Sequence, residues 1–269
     1  MKRILTSLTL VVSLSTLCIA KDTNKNVKLT SQEKQEMVNS EFEMPPAGDL
    51  VNVLTKDLGK IDWNSFIIPV GKKKYSSNED MVLNLGVRGA DVYFLAASKD
   101  TSNLISVSTE VNFLLNKIVV NNKSLNDSKR KKRLKKLKDL VKQGKWNNVL
   151  KEIGILQSRI DSDFITNNAK SLKLLNDIGG WIEGYRLAVE GFSKNFKADK
   201  TDILIQKDLI SYLKKSLLND NNLKSFKKTT KLLKTLSDIE GVLKNAKDKL
   251  NKSQIEQLNK ILSETKQYI

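Results

Sequence analysis

The chain has no histidine, and Cys18 is its only cysteine. Without histidine, the commonest general base, the commonest transition-metal ligand and the Ser-His and Cys-His nucleophile pairs are all missing. Carboxylates alone remain for acid-base chemistry, so a binding or scaffold protein is favoured over an enzyme, and no catalytic residue, metal ligand or cofactor is expected. Proline is almost as scarce. Pro45, Pro46 and Pro69 are the only three, so no ring interrupts a helix from Tyr75 to Ile269. No Walker, zinc, EF-hand or nucleophile-elbow pattern is present, and no alternation of apolar and polar residues is strong enough to mark a strand.

What is present begins with a stretch that reads as a secretory signal. Lys2 and Arg3 precede an apolar run from Ile4 to Leu17, and Cys18-Ile19-Ala20 offers cleavage before Lys21. Lipidation at Cys18 wants a small residue just before it, and Leu17 is large. The expectation is an exported, periplasmic chain, left without cysteine and stabilised by core burial alone. A polar leader follows over 21–46, with a short helix at Gln32–Ser40 and a stop at Pro45-Pro46.

The remainder, 47–269, reads as a single all-α domain, a bundle of about ten helices. Its centre is Val82 to Ala96, apolar over most of its circumference, with only Arg88 and Asp91 charged inside it. A similar stretch recurs at Leu174 to Ala188, where Leu83, Asn84, Tyr93, Leu95 and Ala96 reappear as Leu175, Asn176, Tyr185, Leu187 and Ala188. Each is followed by a polar break and a second helix, Leu104–Val120 and Ile203–Leu218. Two pseudo-repeated hairpins, about 77–120 and 168–218, are therefore expected. Gly86 and Gly89 in one copy and Gly179, Gly180 and Gly184 in the other cost about 1 kcal/mol each in a helix interior, a loss normally offset by close helix approach. The segment Ile61–Val70 should lie extended across the bundle, and Leu223–Leu250 with Ser253–Tyr268 should close it as an antiparallel pair.

The motif Asn84-Leu85-Gly86-Val87-x-x-Ala90-Asp91-x-Tyr93 resembles that of uncharacterised secreted all-helical proteins of Gram-negative bacteria. The similarity spans about Val51 to Val120 and implies a helical fold and export; it implies no activity.

Two sets of residues carry candidate chemistry. Arg88 with Asp91, and Glu183 with Arg186, sit three apart on their helices with the charge order reversed. Antiparallel packing of the copies would pair Arg88 with Glu183 and Asp91 with Arg186. The set reads as a structural ion-pair brace, in which case Asp91→Asn should destabilise the fold. It also admits a polar ligand pocket with Tyr93 and Tyr185 as hydroxyl donors, or a carboxylate pair for acid-base work.

The second set is basic. The chain carries a net charge of +17, and the excess is uneven: 123–151 holds twelve basic residues against Asp127 and Asp139. Lys129, Arg130, Lys131, Lys132, Arg133, Lys135, Lys136 and Lys138 are packed into one amphipathic helix within a basic insertion at 123–161. A face of this density attracts anionic groups, and export makes an acidic protein or an anionic membrane surface the expected partner rather than nucleic acid. The leading expectation is a non-enzymatic docking protein; the alternative is a periplasmic small-ligand binder with a pocket between the central helices.

Overall fold

Ser77 opens the central helix, α2 (Asn78–Ala97), by accepting a hydrogen bond from the Asp80 amide, with Glu79 and Asp80 in the positive first turn. From Val82 to Ala96 every residue except Gly89 is buried. The computed structural model describes residues 47–59, 61–71, 74–125 and 127–269, which fall in one compact unit. The expected signal, Cys18 and the Gln32–Ser40 helix lie outside the described residues.

Nine α-helices and one tiny β-ladder make up the described chain. α1 (Ala47–Leu58) leads to a 3-10 turn, Trp63–Phe66, and then to α2; α3 is Thr101–Lys117, α4 Ser128–Lys142, α5 Trp146–Thr166, α6 Lys170–Lys194, α7 Lys207–Asn219, α8 Thr229–Leu243 and α9 Lys252–Thr265. The all-α expectation holds. Three local readings are corrected. The helix expected to reach Val120 ends at Lys117, because Asn121 and Asn122 both take positive φ, 49° and 62°, and form a tight turn pairing β1 (Val119–Val120) with β2 (Lys123–Ser124). Ile203 and Leu204 belong to a 3-10 stretch, Ala198–Leu204, before α7 begins. The helix expected over 223–250 is confined to α8, with turns on either side.

α2 and α6 form the axis of the fold, packed backbone against backbone. A Cβ on Gly86 would overlap the carbonyl oxygen of Asn176, and one on Gly179 would overlap that of Leu83. Gly86, Gly179 and Gly180 are therefore packing notches, as their spacing suggested, whereas Gly89 faces only the Gln157 side chain of α5, at 3.5 Å from where its Cβ would stand. The contacts advance in the same sense along both helices, from Leu83 with Gly179 to Asp91 with Glu183, so α2 and α6 run parallel rather than antiparallel. α3, α4 and α5 sheathe α2 on one side, while α8 and α9 enclose α6 and α7 on the other. The two hairpins are not equivalent: α3 lies along α2, whereas α7 packs mainly on α8. Trp63 closes the far end, its ring 4.8 Å from Phe94 and its edge 2.8 Å from where a Cβ on Gly191 would stand.

Candidate functional sites: a buried charge chain and a basic helix

The parallel arrangement changes the pairing of the central charges. Arg88 Nη1 donates to Asp91 Oδ2 at 2.8 Å, one turn along its own helix, and Arg88 Nε lies 2.9 Å from Glu110 Oε2 on α3. Arg186 Nε donates to Glu183 Oε2 at 2.8 Å, also on its own helix, and Arg186 Nη1 lies 2.9 Å from Glu190 Oε1. The cross-pairs Arg88–Glu183 and Asp91–Arg186 expected from antiparallel packing are replaced by these. Between the helices the carboxyls meet instead, Asp91 hydrogen-bonded to Glu183. Tyr75 extends the chain on one side by hydrogen bonding to Glu110, and Lys266 extends it on the other, 2.6 Å from Glu190. One polar chain thus crosses the core from α3 through α2 and α6 to α9.

Both arginines also hold a segment that has no secondary structure of its own. Ile67 to Val70 leaves its carbonyls without helix or sheet partners, and buried carbonyls need donors. Arg186 Nη2 donates to the Phe66 carbonyl at 3.0 Å and Arg88 Nη1 to that of Ile68 at 2.7 Å. The Ile61–Val70 segment, expected to be extended throughout but turned into a 3-10 helix at Trp63–Phe66, is therefore clamped onto α2 and α6 through the same residues that hold the carboxyls.

Counting charges identifies the proton on the carboxyl pair. Arg88, Arg186 and Lys266 are three cations; Asp91, Glu110, Glu183 and Glu190 are four acids, and the set balances when one acid is neutral. Asp91 is that acid. Full burial pushes its carboxyl well above the usual range and the Glu183 charge adds to this, outweighing Arg88. Burial works against Glu183 as well, but the Arg186 charge and hydrogen bonds keep it ionised. Asp91 Oδ1 is buried with no donor beside it, as suits a carboxyl that keeps its proton.

Asp91→Asn should then be tolerated, opposite to the expectation for a simple ion-pair brace: the amide donates to Glu183 where the acid proton did and its oxygen accepts from Arg88. An acid whose folded pKa is raised holds its proton more tightly folded than unfolded. Its contribution is present below the ordinary aspartate value near 4 and is lost as pH rises through the folded value. Urea titrations should show Asp91→Asn within about 1 kcal/mol of the parent at pH 4, gaining on it as pH rises to 8. A variant that loses ground with rising pH would mean that Asp91 is ionised.

The remaining central candidates do not converge on an open site. Tyr185 donates to the Leu204 carbonyl at 2.8 Å and stacks on Trp181. The Tyr93 hydroxyl stands beside Gly154 of α5. All six residues, Arg88, Asp91, Tyr93, Glu183, Tyr185 and Arg186, are buried. A cavity beneath the basic helix is lined by none of them.

The basic helix is α4, capped by Asp127, which accepts from the Arg130 amide at 2.7 Å. Its apolar stripe of Leu134, Leu137 and Val141 is buried as the spacing required. The eight basic residues divide. Arg130 is buried and bonded to Asp163, and Arg133 and Lys136 close on buried Glu152 at 2.7 and 2.8 Å. Lys138 donates to Thr109 of α3 at 3.0 Å. Lys129, Lys131, Lys132 and Lys135 stay exposed with no ion pair among the described residues, joined by Lys142 and Lys145. Half of the expected basic surface thus fastens α4 to its neighbours, and half faces outward.

Spacing alone left out Tyr75, Glu110, Glu152, Glu190 and Lys266. A signal existed for two of them. Glu110 lies three residues after Val107 and four before Leu114, and Glu152 lies three after Val149 and four before Leu156, so each acid sits in an otherwise apolar stripe. An acid in that position must find a cation. No protein-family model, curated protein or solved structure matches the chain.

Proposed function

We propose that the protein is an exported, non-enzymatic docking protein whose basic face, carried by α4, binds an anionic surface, either an acidic protein or an anionic membrane. The observation supporting this most strongly is the outward row of unpaired lysines, Lys129, Lys131, Lys132 and Lys135, on a helix whose other cations are used to anchor it. The core charges support the same reading from the other direction, since each is committed to another charge or to a backbone carbonyl and none lines the cavity beneath α4. The outward arc of α4 carries lysine, Asp139 and Gln143 and no large apolar residue. The contact is therefore electrostatic, without insertion of the helix into hydrocarbon.

Co-sedimentation with phosphatidylcholine vesicles, with and without phosphatidylglycerol, tests the reading. Binding is expected only to the anionic vesicles, falling by about tenfold or more when salt rises from ~0.05 to ~0.5 M, as the screening length shortens. Polyglutamate replaces the vesicles in a parallel arm that reports an acidic protein partner. Failure to bind either polyanion, or binding indifferent to salt, overturns the proposal.

A further inference from the structure

Directly beneath α4 lies a cavity of about 40 Å³. Leu134 and Leu137 form its α4 wall, Ser108 and Val111 its α3 wall, Gly89 its α2 wall and Ile153 part of its α5 wall. Its lining is hydrocarbon apart from Ser108 and Gln157. Ser108 Oγ is buried without a hydrogen-bond partner, and Gln157 Nε2 is already given to Asp161 at 3.1 Å. A stable water needs two to four polar partners; Ser108 Oγ and Gln157 Oε1 offer the minimum of two, and the rest of the wall, all hydrocarbon, favours an apolar guest. The volume limits the guest. A cavity of ~150 Å³ is needed to admit a benzene ring and metabolite sites run to about 300 Å³ or more, whereas about 40 Å³ suits the narrow end of a chain.

The cavity and the basic face share a helix. Leu134 and Leu137 line the cavity, and Lys131, Lys135 and Lys138 follow one another along the adjoining flank of α4 at spacings of four and three residues. Lys138 bridges to Thr109 at 3.0 Å, so a cation marks the surface seam between α3 and α4 beside the cavity residues Leu137 and Ser108. An apolar slot below and a cation row above match the two ends of an amphiphile.

We propose that the cavity seats the end of an unbranched aliphatic chain whose anionic head rests on Lys131, Lys135 and Lys138. The ligand class of the basic face is then a single-chain anionic amphiphile. This rests on the reading of α4 as an anion-binding face and adds to it the chain. A fatty-acid carboxylate and a lysophospholipid phosphate offer the same head chemistry.

Isothermal titration below micelle-forming concentrations separates the possibilities. Dodecanoate should bind at least about tenfold more tightly than butyrate or dodecyltrimethylammonium, and affinity should rise by about fourfold per methylene over the first lengths of a fatty-acid series, the value of burying a CH₂ group. Lysophosphatidylglycerol against dodecanoate reports which head is preferred. Gly89→Leu places a side chain in the cavity and should weaken dodecanoate about tenfold or more while leaving binding to anionic vesicles unchanged. Ser108→Ala removes the unpartnered hydroxyl and should keep or improve dodecanoate binding. Lys131→Gln with Lys135→Gln should weaken both ligands. The chain-length series uses the parent protein and so does not depend on any variant folding. A flat series, equal affinity for dodecanoate and butyrate, or full dodecanoate binding by folded Gly89→Leu overturns this inference. Vesicle binding without dodecanoate binding overturns it alone and leaves the docking proposal standing.

Discussion

Gly86→Ala destabilises the protein by about 3 kcal/mol, although alanine is the better helix former by about 1 kcal/mol. The added Cβ overlaps the carbonyl oxygen of Asn176 and crowds the amide of Gly180. Both are backbone atoms of α6, which no rotamer change can move. The helices must separate along the axis from which the whole bundle is built, and the packing of Leu83, Val87 and Ile182 loosens with it. Gly89, one turn later on the same helix, provides the control. Its nearest atom would be the Gln157 side-chain oxygen at 3.5 Å, an ordinary contact with a movable group. Gly89→Ala should therefore stabilise by about 1 kcal/mol. Urea midpoints of the two variants should move in opposite directions. Equal shifts would mean that α2 and α6 do not meet through Gly86.

Arg186→Met carries the second large effect, a loss of about 3–5 kcal/mol at neutral pH. Arg186 is fully buried and serves Glu183, Glu190 and the Phe66 carbonyl together. Methionine fills much of the volume but leaves Glu183 ionised beside Asp91 with no cation bonded to it. Glu190 retains Lys266, so Glu183 bears the main penalty. The variant relieves that penalty by protonating Glu183, which raises its folded pKa above the unfolded value. Its deficit should then be smallest near pH 4 and grow as pH rises. A pH-independent deficit would locate the loss in packing rather than charge. The freed Phe66 carbonyl adds a local consequence, since the Ile61–Val70 segment loses one of its two clamps and should become more open to protease than in the parent.

The central helices were legible in the sequence because they are apolar on nearly every side, and only a helix enclosed by others can be so. Gly86, Gly179 and Gly180 pointed correctly to close approach, since a helix that accepts their cost needs a neighbour at backbone distance; Gly89 looked the same in the sequence and meets only a side chain. The relative direction of α2 and α6 was not legible. Residue spacing describes one helix face and is indifferent to whether its partner runs up or down, so Arg88, Asp91, Glu183 and Arg186 were recognised as a set and paired wrongly. Connectivity supplies the missing constraint: three helices, α3 to α5, separate α2 from α6, so four short-looped reversals join them, and an even number of reversals returns the chain parallel.

The outward half of the basic helix was also obscured. Arg130, Arg133 and Lys136 are indistinguishable in sequence from Lys131, Lys132 and Lys135, and only Asp163 and Glu152, distant along the chain, separate anchors from free cations. The end of α3 had a readable marker that helical periodicity overrode. Val119-Val120-Asn121-Asn122 couples β-branched residues to two residues tolerant of positive φ, the chemistry of a tight hairpin turn.

The central claim divides the charges of this protein into a core set that holds the fold and an outer set on α4 that binds. The direct measurement compares the parent with a variant carrying Lys129→Gln, Lys131→Gln, Lys132→Gln and Lys135→Gln, using anionic-vesicle co-sedimentation at low salt beside urea unfolding. At about 1 kcal/mol per lysine near an anionic surface, vesicle affinity should fall by about a thousandfold. The unfolding midpoint should stay put, because these four side chains make no ion pair in the described structure. Undiminished vesicle binding by this variant, with its stability intact, would contradict the account.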